Sequence, residues 1–313
     1  MRPVDAIFDR SQVFDVVIAT CGYERRSSYL CRLGIMGQSL FSIVYPGTHG
    51  GSFKANAALY EASNWVLAEL DSVLAQAVVA ISRIDQPTVA IDISSMPRRT
   101  MGRIVEWLST ELPKDATIHF LYCPGDFSSS IQAAERDGPL SAAPLSPYFA
   151  GQLRAPSIPI GLVIGLGLEP DRALGIIEFL EPAKIWLFAS RSDDERFASA
   201  AAALHRSLFE SNNVDGLFYY DIRSLNEAYS AIESLCFSLG LEYRLLLAPS
   251  GPKLFSLACL LVGADRRETR PAVWRVGNRN LMLPVDVIEA GDVCSSVVLF
   301  PRATDPTAGS VPH

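Results

Sequence analysis

The sequence predicts an α/β protein built from two tandem Rossmann-like units, each a parallel sheet, arranged as a pseudo-symmetric pair. Three observations carry this: strand-length runs that are apolar throughout, helix-length amphipathic segments alternating with them, and a register shared between the two halves of the chain. A strand apolar on both faces belongs inside a parallel sheet covered by helices on both sides.

In the first half the run Val16-Val17-Ile18-Ala19 breaks at Thr20-Cys21-Gly22; in the second, Leu162-Val163-Ile164 breaks at Gly165-Leu166-Gly167. Each break continues through a glycine, a bulky apolar residue and a glutamate, Gly22-Tyr23-Glu24 and Gly167-Leu168-Glu169. Arginine follows (Arg25 and Arg26; Arg172), and a helix begins. The second-half helix shows Ala173, Ile176, Ile177 and Leu180 on one face and stops at Pro182. Second strands are expected at residues 41–45 and 185–189. Long amphipathic helices come next, one through Leu59, Ala62, Val66, Leu70 and Val73, the other through Phe197, Ala201, Leu204 and Leu208. Later strands at 88–93 and 243–247 run into Ser94-Ser95-Met96-Pro97-Arg98 and Ala248-Pro249-Ser250-Gly251-Pro252-Lys253, each followed by another helix. Pro252 and Lys253 both stand 155 residues beyond Pro97 and Arg98, and the apolar segments 119–121 and 274–276 keep that spacing. Strands alternating with helices imply right-handed βαβ units.

The stretch containing Pro139, Pro144, Pro147, Pro156 and Pro159 suits a linker. The expected organisation is a first unit over residues 1–138, a Pro-rich linker over 139–157, and a second unit over 158–302. That unit ends in a strand pair, 281–287 with 295–300, and the tail 303–313 reads as disordered.

At 313 residues, 49% hydrophobic and 19% charged, the chain can bury the cores of two such units and lacks the signature of disorder. Lys+Arg 27 against Asp+Glu 34 give a formal charge of −7, so no global positive field draws duplex nucleic acid to the surface. An anion site must be a local pocket. The longest apolar run, 257–264, is far short of the roughly 20 residues that cross a bilayer, and Met1-Arg2-Pro3-Val4-Asp5 lacks a signal peptide's apolar region. A cytoplasmic protein without a membrane partner is expected. Six scattered cysteines with no CxxC pair argue against disulfides and structural zinc, and neither a metal nor a cofactor is expected.

Ligands of open parallel sheets bind beyond the carboxyl ends of the strands, where loops meet helix N-termini. That rule selects residues 20–27, 46–54 and 92–99, with 165–172 and 248–253 as second-half counterparts. Gly22 permits close backbone approach, and Arg25 and Arg26 begin a helix whose unpaired N–H groups favour an anion. The same residues also fit a capped helix start with two solvated arginines. Gly47, Gly50, Gly51, His49 and Lys54 precede the next helix, a setting for phosphate or ribose, or for a plain surface turn. The GxxxxGK[ST] spacing of a P-loop is absent, and Pro170 stands where a GxGxxG run needs its last glycine. The strongest local signal is Asp92 with Ser94 and Ser95 at a strand end, then Arg98 on the first turn of the next helix. Hydroxyl and N–H groups there can hold a phosphate or ribose while Arg98 neutralises charge. Capping of the helix by Asp92 or Ser94, worth about 0.5–2 kcal/mol, is the other use.

Asp92, Ser94 and Arg98 match the pattern D-x-[ST]-x-x-x-[RK] after a late strand of the unit, and in this the chain resembles the CRISPR-associated Rossmann fold (CARF) family. The resemblance implies that this motif and the loop after the first strand bind a cyclic oligonucleotide second messenger across a two-fold axis between paired domains. It also implies a sensor role in antiviral defence with an effector downstream. Two units in one chain would supply the pair. The second half departs from the pattern: Lys253 keeps the cation, but Leu247 and Pro249 stand at the acid and hydroxyl positions. Ser250, Gly251 and Lys253 are therefore expected to touch a different part of the ligand.

Enzymatic readings start from Cys21, at a strand end with His49 as its nearest candidate base, or from cleavage of a bound phosphodiester by Ser94 or His49 with Arg98, Lys54 or Lys253. A divergent cofactor-dependent transferase is a third; an adenosylmethionine enzyme would want an acid where Pro46 and Ala189-Ser190 end the second strands. The expectation taken forward is a nucleotide-binding sensor with its site between the halves. The first half would contribute Gly22, Glu24, Arg25, Arg26, His49, Lys54, Asp92, Ser94, Ser95 and Arg98; the second, Gly167, Glu169, Arg172, Ser250, Gly251 and Lys253. The expected partners are a small phosphorylated or nucleotide ligand and an effector protein, and a homodimer is the further assembly such a fold permits.

Overall fold

The computed structural model describes residues 1–47, 50–134, 140–169, 171–211, 213–265, 269–278 and 285–303. The first half runs β1 (Val4–Ile7), β2 (Val13–Thr20), α1 (Tyr29–Arg32), β3 (Met36–Ile43), α2 (Phe53–Ala62), β4 (Val66–Ala68), α3 (Leu70–Ser82), β5 (Thr88–Asp92), α4 (Arg98–Thr110), β6 (Ala116–Tyr122) and α5 (Phe127–Ala134). The chain continues through β7 (Leu140–Pro144), β8 (Ile160–Gly165), α6 (Arg172–Leu180), β9 (Lys184–Arg191), α7 (Glu195–Leu204), α8 (Arg206–Phe209) and β10 (Gly216–Asp221). It ends with α9 (Leu225–Leu239), β11 (Arg244–Ala248), α10 (Lys253–Ala264), β12 (Ala272–Asn278) and β13 (Cys294–Phe300).

Two Rossmann-like units result. The first sheet has the order β1-β13-β6-β5-β2-β3-β4 and the second β10-β9-β8-β11-β12-β7. Each contains five parallel strands in the same arrangement, β4-β3-β2-β5-β6 and β10-β9-β8-β11-β12. The order reverses between β2 and β5, and between β8 and β11, which puts a ligand crevice at those strand ends. Val16 to Ala19 and Leu162 to Ile164 are buried on both faces, as the unbroken apolar runs require.

The sixth strand of each sheet corrects the expected organisation, because the two are exchanged. After β6 the chain crosses to the second sheet, where β7 lies antiparallel to β12. After β12 it returns, and β13 lies antiparallel to β6 and β1 in the first sheet. The predicted linker is therefore largely structure: β7 is a sheet strand, and Phe149, in a short turn of 3-10 helix (Pro147–Phe149), is buried in the common core. The predicted C-terminal strand pair does not form in the second unit, since 294–300 belongs to the first sheet and residues 285–288 pair with no strand; 281–284 lie outside the described residues. Of the predicted tail, Ala303 donates its N–H to the Leu112 carbonyl, and 304–313 lie outside the described residues.

Both predicted long helices are also divided. Asn64 takes a left-handed conformation (φ 59), which Asn tolerates better than most residues, so α2 ends and Val66 lies on the edge strand β4 before α3. His205 separates α7 from α8.

The halves meet through α4 and α10. Met101, Ile104, Val105 and Leu108 share one buried cluster with Leu254, Leu257, Ala258 and Leu261. Leu254 to Ala264 is buried on every side, which explains a helix apolar all round. On the opposite edge Asp5 of β1 accepts hydrogen bonds from the N–H groups of Leu225 (3.0 Å) and Asn226 (3.3 Å) and from the Ser224 hydroxyl, capping α9 of the other half. No helix among the described residues is long and apolar enough to cross a membrane.

Candidate ligand site at the junction of the two halves

The floor of the first-half crevice is polar. Thr20 ends β2, and its Oγ1 lies 3.0 Å from Ser95 Oγ in the loop after β5. Asp92 is buried; one carboxylate oxygen accepts from both the N–H (2.9 Å) and the hydroxyl (2.6 Å) of Ser94, whose Oγ in turn accepts from Cys123 N–H at 2.9 Å. These two residues stitch the end of β5 to the end of β6. Ser94 has its proton committed and is itself buried, so it stands beneath the crevice, contrary to the expectation that it reaches a ligand. Half-buried Ser95 is the hydroxyl left at the surface of that floor. Burial raises the Asp92 pKa to about 6, opposed by the Ser94 bonds and by Arg26.

The loop after β2 is held from α2. Asn56, buried, donates to the carbonyls of Gly22 and Glu24 at 2.9 Å each and accepts from Ser28 Oγ at 2.6 Å, while Tyr60 donates to the Ser27 carbonyl at 2.6 Å. Their i, i+4 spacing on one helix face is the signal that could have found them. Within the loop Arg26 pairs with Glu24 at 2.6 Å. Burial opposes the Arg26 charge, but the adjoining Glu24 carboxylate leads the opposing effects and the pKa is raised. Arg25 turns outward instead, half exposed and 3.7 Å from Glu289, which removes it from the expected site.

The second half repeats the charges but not the floor. Arg172 pairs with Glu169 at 2.8 Å, matching the Arg26–Glu24 pair. Gly165 occupies the place of Thr20, as the register with β9 and β3 shows, and a side chain there would collide with the Phe255 ring and the Ser250 carbonyl. A Cβ on Gly167 would lie 2.9 Å from the Gly251 Cα, and one on Gly251 (φ +79) would lie 2.6 Å from the Leu166 carbonyl oxygen. Both glycines are needed for backbone to meet backbone. His205, buried, places Nε2 2.8 Å from the Gly167 carbonyl.

The two rims cross at their cations. Arg98 donates from Nη2 to the Gly251 carbonyl at 2.5 Å and from Nε to Ser256 Oγ at 2.9 Å; Lys253 donates from Nζ to the Met96 carbonyl at 2.5 Å. Each acceptor carbonyl lies two residues before the opposite cation, so the clasp is reciprocal. Withdrawal from water lowers the pKa of Arg98, with Glu169 opposing and Arg172 adding to the effect. Lys253 falls to about 7, first through burial and then through Arg98 and Arg26, against the pull of Glu24 and Glu169. Arg26, Arg98, Arg172 and Lys253 thus share one electrostatic cluster with Glu24 and Glu169, positive in excess when all are ionised.

Residues 285–291 lie across the first-half loop. Asp286 accepts from Arg25 N–H at 2.5 Å and from Ser52 Oγ at 2.6 Å, Arg26 N–H donates to the Val287 carbonyl at 3.3 Å, and Glu289 pairs with Arg32 at 2.8 Å. Lys54 is exposed on the first turn of α2; His49 lies outside the described residues. Cys21 is fully buried, and burial, followed by Glu61, pushes its thiol up to about 11, so it is not a thiolate at neutral pH. No protein-family model and no curated protein matches this chain.

Proposed function

We propose that the chain is a sensor-type binding protein that takes one small phosphorylated ligand of the nucleotide class at the junction of its two halves. What supports this reading is the reciprocal clasp of Arg98 and Lys253 between two Glu–Arg pairs. Arg26, Arg98, Arg172 and Lys253 against Glu24, Glu169 and the buried Asp92 leave positive charge while Lys253 is protonated, which a compact anion offsets in a place where water screens it poorly. This is the ligand class that the CARF resemblance implies, and the shared junction stands where that family pairs two domains. The buried, protonated Cys21 gives nucleophilic catalysis no comparable footing.

The test is calorimetric titration with pyrophosphate, nucleoside phosphates and cyclic oligonucleotides. At least one of these binds, and Arg98→Ala weakens it by about tenfold or more, the scale of a lost charge-assisted hydrogen bond. Absence of binding across the panel overturns the proposal. Mass spectrometry of the ligand after incubation returns it intact for a sensor and cleaved for a phosphodiesterase.

A further inference from the structure

We infer that residues 285–291 form an internal strap that holds the first-half side of the junction shut, with the Asp286 carboxylate standing in for an incoming anion, and that anion binding lifts it. The inference rests on the proposed anion site and adds what controls entry to it.

The strap bridges two loops. In the first sheet β5 stands between β2 and β6, and the segment is bonded to the loops that follow both neighbours. On the β2 side Asp286 accepts from the Arg25 N–H at 2.5 Å and from the Ser52 hydroxyl at 2.6 Å, and the Val287 carbonyl accepts from the Arg26 N–H at 3.3 Å. On the β6 side the Asp126 N–H donates to the Ile288 carbonyl and the Ala290 N–H to the Pro124 carbonyl, each at 2.9 Å, around an antiparallel bridge between Gly125 and Glu289. Ligands of parallel sheets enter at these strand ends. Val287 is the anchor: it is buried, and a Cβ on Gly125 would stand 2.5 Å from Val287 Cγ1 and 3.3 Å from Arg26 Nη1, so the valine lies against backbone beside the Arg26 guanidinium. With the strap down Arg26 is 8% exposed, and three donors of the first-half loops are spent on the protein's own acceptors, one of them a full carboxylate. An anion drawn to Arg26 from this side meets the like charge of Asp286 first.

The strap is also built to open. Val287 is its one buried side chain, and Ile288 and Ala290 are exposed. One apolar anchor with hydrogen bonds along a solvent-facing edge marks a segment that opens at less than the global cost of unfolding. The closed state leaves Glu289 Oε2 buried with no hydrogen-bond partner among the described residues, while Oε1 takes Arg32 at 2.8 Å. An unpaired buried carboxylate oxygen is a cost that opening removes. Gly291 ends the strap with φ +112 and open space where a Cβ would stand, and the Tyr29 hydroxyl pins its carbonyl at 2.5 Å, so the chain has a pivot with one fixed side.

The experiment follows amide hydrogen exchange over 285–291 in the full chain by mass spectrometry and titrates the same samples with pyrophosphate, in wild type, Asp286→Asn and Asp286→Ala. Saturating pyrophosphate speeds exchange over 285–291 in wild type by about tenfold, whereas a segment that only packs beside the site is slowed or unchanged when its neighbour binds. Asp286→Ala speeds the same exchange without ligand and binds pyrophosphate about tenfold more tightly, the scale of a lost hydrogen bond to a charged group. Asp286→Asn keeps an acceptor, loses the charge and falls between the two; as the closer match in shape it serves if the alanine variant fails to fold. Slowed or unchanged exchange on binding, or pyrophosphate affinity that stays or falls in both variants, overturns the strap while Arg98-dependent binding keeps the anion site. Pyrophosphate binding to none of the three proteins overturns both.

Discussion

Where the first half ends β2 with Thr20 and carries Thr100 on α4, the second half has Gly165 and, on α10, Phe255, so buried hydroxyls in one half answer to a packed aromatic wall in the other. Thr100 accepts a hydrogen bond from Tyr45 at 3.1 Å; Phe255 lies in a ring stack. The paired changes compensate in volume, small against large on each side. A repeated backbone thus holds strand order and cation placement constant while the side chains beneath them differ, buried hydroxyls in one half and stacked rings in the other.

The largest expected effect comes from the backing. Phe255→Ala costs about 3–5 kcal/mol of stability as a large buried ring is removed, against about 0.5–1.5 kcal/mol for Thr100→Ala, which loses one neutral hydrogen bond. Urea unfolding of both variants measures the gap, and equal losses would dissolve the contrast. Next come the glycines. Gly251→Ala costs about 1–3 kcal/mol through its positive φ and its approach to the Leu166 carbonyl, while Gly22→Ala stays within about 0.5 kcal/mol because its nearest neighbour is at ordinary contact distance. Thermal melting ranks them. The smallest effect is pH dependence. Lys253 titrates near about 7 among Arg98, Arg26, Glu24 and Glu169, so it loses its charge as pH rises and anion affinity weakens several-fold across neutrality. Lys253→Arg keeps the charge and flattens that profile. Stability moves the other way: between about 7 and the ordinary lysine value of 10.5 the unfolded chain binds more protons, so Lys253's contribution makes folding more favourable as pH rises. Asp92 acts oppositely, its contribution fading as pH rises from 3.8 to about 6.

Much of the parallel frame was legible because its signals are local. Unbroken apolar runs marked β2 and β8, and the spacing from Arg98 to Lys253 located the two helix starts that cross. The exchange of β7 and β13 was not legible, since nothing in the pattern of Cys294–Phe300 assigns it to one sheet over the other and only long-range pairing decides. Asp286 and Glu289 were missed for the same reason, lying far along the chain from the Arg25, Ser52 and Arg32 they meet. Asn64 hid inside an apolar stripe that looked continuous from Leu59 to Val73, though a left-handed asparagine ends the helix there. Ser94 was visible both as a ligand hydroxyl and as a partner for Asp92, and burial selected the second.

The central claim is that two unlike halves make one anion site, and native mass spectrometry of the purified chain with added pyrophosphate tests it most directly. One bound anion per chain, lost in Arg98→Ala and in Lys253→Ala alike, is the predicted result. Two anions per chain, or a bare chain at every concentration, would contradict it.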